Sequence, residues 1–233
     1  MTKRTLLAIL FLALLMGGGY GCMASGSGSA GANARDEALE HMRQKYGIKF
    51  TYYGPWGAGA ANSAYTFLAE AEGYPGFQVA TQVDKYRETN KIFSDGFLAV
   101  KYWNDTKNFI LGCATSVFGN AKVISAPELS CQSASLPADA SFSEYLADRT
   151  SALTATIVVG EGSFSGKEQA QELAELIAES GARYLLSLSV IKDSDFLDNW
   201  ATVGEFVSHK YDSFGCNISN SSGAIKIDWN EGN

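Results

Sequence analysis

Residues 153–191 have the sequence LTATIVVGEGSFSGKEQAQELAELIAESGARYLLSLSVI, and this stretch decides the fold class. Its first part, residues 153–159, is a short apolar run rich in β-branched residues, which is typical of a buried strand. Apolar residues then recur at helical spacing over residues 166–179, so that they lie on one face of a helix. A second strand is predicted at residues 183–191. The stretch therefore combines helix and sheet within one continuous segment.

The chain on both sides of this stretch carries the same mixture of helices and strands. Helical spacing begins at Asp36 and after Asp105, and a glycine ends each of the two patterns. Further strands are predicted at residues 48–53, 65–70, 77–83 and 122–125, with a closing pair near residues 216–219 and 224–229. We expect an α+β fold in which helices pack on antiparallel sheet.

Residues 127–141 form the candidate boundary within this fold. They are rich in Ser, Ala and Pro and show no apolar period, which is typical of a loop or a linker. Two arrangements stay open: one large domain, or two small α+β halves at residues 35–126 and 142–233. A chain of this length can bury a substantial core in either arrangement.

The first 21 residues have the three parts of a bacterial signal sequence. Lys3 and Arg4 supply the charged region, an apolar run follows at residues 6–16, and glycines come next. The apolar run is too short for a permanent span, because a bilayer core needs about 20 apolar residues. We expect export and removal of residues 1–21.

Cys22 follows this run closely, and its surroundings resemble the lipobox of bacterial lipoproteins. Gly21 fits that pattern, whereas Gly19 and Tyr20 depart from it. Ordinary secretion, with cleavage after Ala32 or Ala34, is the alternative, but those sites lie well beyond the apolar run. We expect lipidation at Cys22, where a diacylglyceryl group and an amine-linked acyl chain such as palmitate would hold the chain on the membrane.

The predicted mature chain begins with a tether and is acidic. Residues 22–34 are almost entirely Gly, Ala and Ser after Cys22, which predicts a flexible coil. Loss of Lys3 and Arg4 with the signal sequence lowers the formal charge from −7 to −9. This charge disfavours nucleic acid as a partner, because its phosphates would be repelled. The predicted location is the outer face of the cell membrane, or the medium if no lipid is attached.

Three cysteines remain when Cys22 is set aside, and they allow one disulfide. Cys131 lies in a polar loop, where a free thiol outside the cell would be open to oxidation, so it is the predicted bridge member. Cys113 is its expected partner, and Cys216 is the alternative. The cysteine spacings match no zinc signature, and no metal site is predicted.

The glycine-rich loop at residues 160–167 precedes a predicted helix, as a phosphate-binding loop would. Its spacing excludes that function, because only three residues separate Gly162 from the Gly–Lys pair and Glu168 replaces the hydroxyl that binds magnesium. Ser165 and Glu168 instead have the spacing of a capping box. No cofactor is expected.

No catalytic residue can be assigned from the sequence. His41 is predicted on the outer face of the first helix, and His209 has only sequence neighbours to suggest a triad. Asp193 begins an acidic cluster that lacks the spacing of a calcium loop. Glu161 and Asp193 follow two predicted strands, so they are the carboxylate pair that a glycan hydrolase would use if those strand ends meet at one edge of a sheet.

Aromatic residues supply the predicted ligand surface. Tyr53 and Trp56 flank a glycine-rich loop and Tyr74 lies in the next turn, so their rings would stack on a sugar or hold a peptide. The alternative is that Trp56 folds back over the core beneath its own loop. The sequence thus predicts a tethered binding module for a cell-surface protein, a peptide or a glycan. A carboxylate-dependent hydrolase of cell wall or glycan is the second hypothesis.

The stretch at residues 36–101 resembles small lipoproteins of Gram-positive gut bacteria that carry a domain of unknown function. The likeness rests on the end of the first helix at residues 45–47, the turns at 53–57 and 74–76, and the run at 95–102. It includes no catalytic residue and no cysteine. The resemblance implies a lipid-anchored, extracytoplasmic protein of a host with one membrane, and it supplies no activity.

Overall fold

The computed structural model describes residues 29–56, 64–84, 93–125, 131, 136–148, 152–196, 200, 202–208, 213–220 and 223–230. Helices α1 to α7 span Ser29–Tyr46, Phe97–Lys101, Trp103–Phe118, Phe142–Ala147, Lys167–Ala178, Asp193–Phe196 and Val203–Ser208. Strands β1 to β9 span Phe50–Pro55, Ala64–Ala71, Gln78–Asp84, Phe93–Asp95, Lys122–Ile124, Leu153–Gly160, Tyr184–Ile191, Ser213–Ser219 and Lys226–Asn230. The predicted signal sequence and Cys22 lie outside the described residues.

The strands form two sheets, and the fold is α+β as predicted. The first sheet has the order β1-β2-β3-β4 and is antiparallel throughout. The second has the order β5-β6-β7-β8-β9, and its strands β6 and β7 are parallel. Both sheets are mainly antiparallel, as predicted, and the pair β6 and β7 is the exception. Helix α5 lies between β6 and β7 and carries the chain back across the sheet, so that both strands run in the same direction.

Helix α1 begins at Ser29, well before the predicted start at Asp36. Ala34 and Ala38 are buried against the first sheet together with Met42. The last part of the predicted tether, from residue 29 to residue 34, is therefore helical. Alanine has the highest helix propensity, and its small side chain lets a helix lie close to a sheet.

Two hydrophobic cores are connected by the short helix α2. The first core lies between α1 and sheet β1–β4, and the second lies between sheet β5–β9 and helices α3 and α5. Phe97 and Val100 of α2 belong to the first core, whereas Leu98 and Ala99 belong to the second. The two sheets are thus joined through one helix that is apolar on both sides.

Strand β5 lies in the second sheet, although the sequence places residues 122–125 with the first four strands. It pairs with β6 in antiparallel register. Val123 and Ile124 are both buried, one in the second core and the other in a small cluster on the opposite face of the sheet. Residues 127–141 therefore connect two strands of the same sheet, and the position of a domain boundary stays a prediction.

Helix α5 and strand β7 have the patterns from which they were predicted. The buried residues of α5 form one stripe and are Ala170, Leu173, Ala174 and Ile177. Strand β7 buries alternate residues from Tyr184 to Val190 beneath this helix, and Ser187 and Ser189 face the other side. The Tyr184 hydroxyl donates a 2.7 Å hydrogen bond to the backbone carbonyl of Ala174, which joins the helix to the strand.

The predicted capping box at Ser165 and Glu168 is wrong. The residue before helix α5 is a glycine, and no side chain caps the helix. The backbone N–H of Ser165 instead donates a 2.7 Å hydrogen bond to the side-chain carbonyl of Gln169. A complete capping box does occur at helix α4, where Ser141 and Glu144 bind each other's backbone N–H groups.

Candidate ligand surface

Strand β1 is an edge strand and carries most of the predicted ligand surface. Within the described residues it pairs with β2 alone. The register shifts between Tyr52 and Gly54, which leaves Tyr53 in a bulge, and the strand ends at Pro55. Bulges and prolines interrupt the row of N–H and C=O groups that an added strand would need. This edge therefore presents side chains and not a regular backbone ladder.

The tyrosines of β1 are among the most exposed large hydrophobic residues in the described part of the chain. Tyr53 is 55% exposed and Tyr52 is 41% exposed. Trp56 follows the strand and is half-buried. Its backbone N–H donates a 3.5 Å hydrogen bond to the Thr66 carbonyl, and its own carbonyl accepts one from the Thr66 hydroxyl. We name Tyr52, Tyr53 and Trp56 the aromatic edge.

Helix α1 runs antiparallel to β1 and brings its first turns to the aromatic edge. Near the end of α1, the Tyr46 ring lies 5.9 Å from the ring of Phe50, which begins β1. Near its beginning, the guanidinium carbon of Arg35 lies 5.0 Å from the centre of the Tyr52 ring. The aromatic edge and the amino end of α1 therefore lie at the same end of this half of the molecule.

Tyr74 does not belong to this surface, although the sequence groups it with Tyr53 and Trp56. Its ring packs edge-on against Phe97 at 5.2 Å, within the first core. Its backbone N–H donates to the Ala71 carbonyl, and Ala71 pairs with the first residue of β1. Trp56 lies at the other end of this pair of strands, where it bonds Thr66, five residues or about 17 Å from Ala71 at about 3.3 Å per strand residue.

A buried carboxylate, Asp95, organises the opposite end of α1. It accepts hydrogen bonds from the Tyr46 hydroxyl at 2.7 Å and the Phe97 backbone N–H at 3.0 Å. The Lys45 ammonium lies 3.3 Å away and forms an ion pair with it. Burial, followed by the charge of Asp95 and its hydrogen bond, raises the pKa of Tyr46 far above its ordinary value. This group fixes α1 to β4 and to the start of α2.

His41 and Cys131 lie near the same carboxylate, but they do not form a nucleophilic site. The exposed His41 ring stacks on Phe93 at 4.7 Å, and burial lowers its pKa. Burial, and secondarily the charge of Asp95, raises the pKa of the Cys131 thiol to about 12. A cysteine attacks as its thiolate, so a raised pKa disfavours a nucleophilic role for Cys131 at neutral pH. The sequence could not indicate this cluster, because its members are far apart in the chain.

The parallel pairing of β6 and β7 brings Glu161 and Asp193 to one edge of the second sheet. Gly160 pairs with Ile191, so both carboxylates follow neighbouring strand ends. The backbone N–H of Gly162 donates a 3.1 Å hydrogen bond to Asp193. Both carboxylate side chains are exposed. They follow neighbouring strand ends at the same edge, but the structure does not enclose them in a buried site.

The three cysteines beyond Cys22 have free thiols in the structure, so the expected bridge between Cys113 and Cys131 is absent. Their surroundings differ: Cys113 lies on α3 near Glu179, and Cys131 lies near Asp95 of the first sheet. Cys216, the alternative partner, is buried within β8.

In the described part of the chain, no group of three or more His, Cys, Asp or Glu side chains is arranged to hold a metal ion. None of the helices described is long and apolar enough to cross a membrane.

No protein-family model and no curated protein matches this chain. Among solved structures, the chain is similar to the crystal structure of a DUF5037 family protein from Ruminococcus gnavus ATCC 29149. The two chains are 16% identical, and the match covers 82% of this chain and 93% of the other with a TM-score of 0.38.

Proposed function

We propose that this chain is a lipid-anchored, extracytoplasmic binding module that contacts its partner through the aromatic edge. The observation that carries the proposal is the exposure of Tyr53 and Tyr52, at 55% and 41%, beside Trp56 on an edge strand. A single exposed aromatic residue is ordinary, but several exposed aromatic residues along one strand edge suit an interaction site. Tyrosine and tryptophan supply a large contact area at a small cost in conformational entropy.

The position of helix α1 supports Cys22 as the processing site. Cleavage after Ala32 or Ala34 would fall inside α1, whose residue Ala34 is 3% exposed and packs in the first core. Such cleavage would remove helical turns on which the core depends. Cleavage before Cys22 leaves α1 whole, which supports a lipid anchor and a location on the outer face of the membrane.

A carboxylate hydrolase is the second candidate function, and one observation favours it. The pairing of β6 with β7 places Glu161 and Asp193 at the same sheet edge. Against this hypothesis, the Asp193 carboxylate already accepts a backbone hydrogen bond from Gly162, and both side chains are exposed. The binding proposal requires no such pair.

The test is a binding assay on the full chain with matched variants. Cell-wall fragments, a displayed peptide library and vesicles serve as probes, and any ligand found is titrated against Tyr53→Ala and Trp56→Ala. Phe214→Ala is the control, because its exposure of 41% equals that of Tyr52 and its ring also packs on one phenylalanine.

We expect each aromatic-edge variant to bind the ligand with an affinity about 30-fold lower, which corresponds to about 2 kcal/mol of binding free energy. The control should bind as the wild-type protein does. An equal loss in the control would contradict the proposed surface. Hydrolysis of a glycan that is lost in Glu161→Gln or Asp193→Asn, with folding unchanged, would favour the hydrolase.

A further inference from the structure

We infer that the partner of the aromatic edge is the membrane interface: Tyr52, Tyr53 and Trp56 rest among the headgroups of the leaflet that carries the Cys22 lipid. This inference rests on the proposed anchor and names the partner of the proposed surface. It follows from the reach of the chain, the direction of α1 and the chemistry of the edge.

The reach of the chain keeps the start of α1 close to the lipid. Six residues separate Cys22 from Ser29, the first residue of α1. The seven Cα-to-Cα steps from Cys22 to Ser29 span about 25 Å at full extension and less in any other conformation. The contact between Arg35 and Tyr52 places the aromatic edge beside the first turns of α1. The edge therefore belongs to the end of the domain that is nearest to the membrane.

The direction of α1 places the remainder of the molecule on the far side. The helix has 18 residues and is about 27 Å long at about 1.5 Å per residue. At its far end, Tyr46 binds Asp95 at 2.7 Å, and the chain continues from there into α2 and the second core. The second sheet is thus attached near the carboxyl end of α1, which is the end that lies away from the lipid.

The chemistry of the aromatic edge suits a headgroup layer. Tyrosine and tryptophan concentrate at membrane interfaces, because their rings are apolar and their polar atoms remain hydrated. The predicted mature chain has a formal charge of −9, which disfavours adhesion to an anionic leaflet by basic patches. The bulge at Tyr53 and the presence of Pro55 disfavour a peptide added as a strand. These features favour contact of the edge side chains with the membrane interface.

The experiment measures whether lipid reaches Trp56. The chain has four tryptophans. One variant keeps only Trp56 and replaces Trp103, Trp200 and Trp229 by phenylalanine. The matched control keeps only Trp229, which is half-buried like Trp56 but lies in the second sheet. Each mature, lipidated protein, which begins at Cys22, is placed in phosphatidylcholine–phosphatidylglycerol vesicles with or without brominated acyl chains, and circular dichroism verifies the fold of both variants.

We expect the brominated lipid to quench the emission of Trp56 and to leave that of Trp229 unchanged. A blue shift of the Trp56 emission on vesicle insertion should accompany the quenching. If Trp56 is unquenched in a protein whose lipid is verified by mass spectrometry, the inference is overturned and the proposed anchor stands. If no lipid is attached at Cys22 in the native host, the proposed anchor and the inference both fall.

Discussion

The guanidinium carbon of Arg35 lies 5.0 Å from the centre of the Tyr52 ring, which fixes the beginning of helix α1 to the aromatic edge. A cation over an aromatic ring stabilises such a contact by about 0.5–1 kcal/mol at exposed sites. The contact matters more for the position of the tyrosines than for the stability of the fold. It places the most exposed aromatic side chains of the first sheet next to the segment that leads back to Cys22.

The helical state of residues 29–34 can be tested with a pair of aspartate substitutions. Ala34→Asp should lower the free energy of unfolding by about 2 kcal/mol or more, because Ala34 is 3% exposed and a carboxylate there would lose its hydration. Ala32→Asp is the control, since Ala32 is exposed on the same helix and should change stability by about 0.5 kcal/mol or less. Urea unfolding measures both. Equal stability of the two variants would indicate that residues 29–34 do not pack on the sheet.

The raised pKa of Tyr46 predicts a loss of stability at alkaline pH. An unfolded tyrosine loses its proton near about pH 10, whereas burial and Asp95 hold the proton on Tyr46 in the folded protein. Because the folded pKa is the higher one, this contribution is complete below about pH 10 and is lost as the pH rises toward the folded value. The free energy of unfolding should fall by up to about 1.4 kcal/mol per pH unit in that window.

The variant Tyr46→Phe should remove this part of the alkaline slope, and it should also cost about 1.5–3 kcal/mol at neutral pH through the lost hydrogen bond to a charged group. Tyr53→Phe is the control, because Tyr53 is exposed and should leave both quantities unchanged. Urea unfolding at several alkaline pH values measures the slopes. An alkaline slope identical in Tyr46→Phe and the wild-type protein would contradict the assignment.

Gly215 of β8 should tolerate no side chain. A Cβ atom built there overlaps the backbone carbonyl oxygen of Leu188 on the neighbouring strand β7, and a backbone atom cannot move aside. We expect Gly215→Ala to destabilise the protein by about 3 kcal/mol or to prevent folding. Gly112→Ala is the contrasting variant. Gly112 is in helix α3, and a Cβ atom added there would have no other atom within 4 Å. This variant should stabilise the protein by about 0.5–1 kcal/mol. Thermal unfolding measures the stability of both variants, and a Gly215→Ala protein as stable as the wild type would contradict the close approach of β8 to β7.

The free thiols should be slow to react in the native protein. Burial raises the pKa of Cys131 to about 12 and that of Cys216 to about 11, so little thiolate forms at neutral pH. Iodoacetamide should label these cysteines slowly in the folded state and all of them, Cys113 included, in denaturant. A non-reducing peptide map that shows Cys113 joined to Cys131 would restore the disulfide predicted from the sequence.

The sequence predicted the elements better than their arrangement. The apolar stripe of helix α5 and the alternation of strand β7 are local patterns, and both elements occur where they were expected. The parallel direction of β6 and β7 depends on how a helix returns the chain, which no local pattern contains. Residues 29–34 were predicted as a tether because small residues show no apolar period, yet Ala34 packs in the core.

The sequence singled out the aromatic residues of the candidate surface, but it could not show which of them lie together. Tyr53 and Trp56 are conspicuous beside a glycine-rich loop, and the structure places them at one edge. Tyr74 is separated from them because Phe97, far along the chain, supplies a packing partner for its ring. The same kind of long-range contact creates the cluster of Tyr46 and Asp95.

The lipid anchor is tested most directly by the mass of the mature amino-terminal peptide, isolated from the membrane fraction of the native host. We expect a chain that begins at Cys22 and carries a diacylglyceryl group on its sulfur. Such a terminus would keep the start of α1 within reach of the membrane through the short connection from Cys22 to Ser29. An unmodified terminus at or beyond residue 30, or a chain found wholly in the medium, would contradict the proposed anchor.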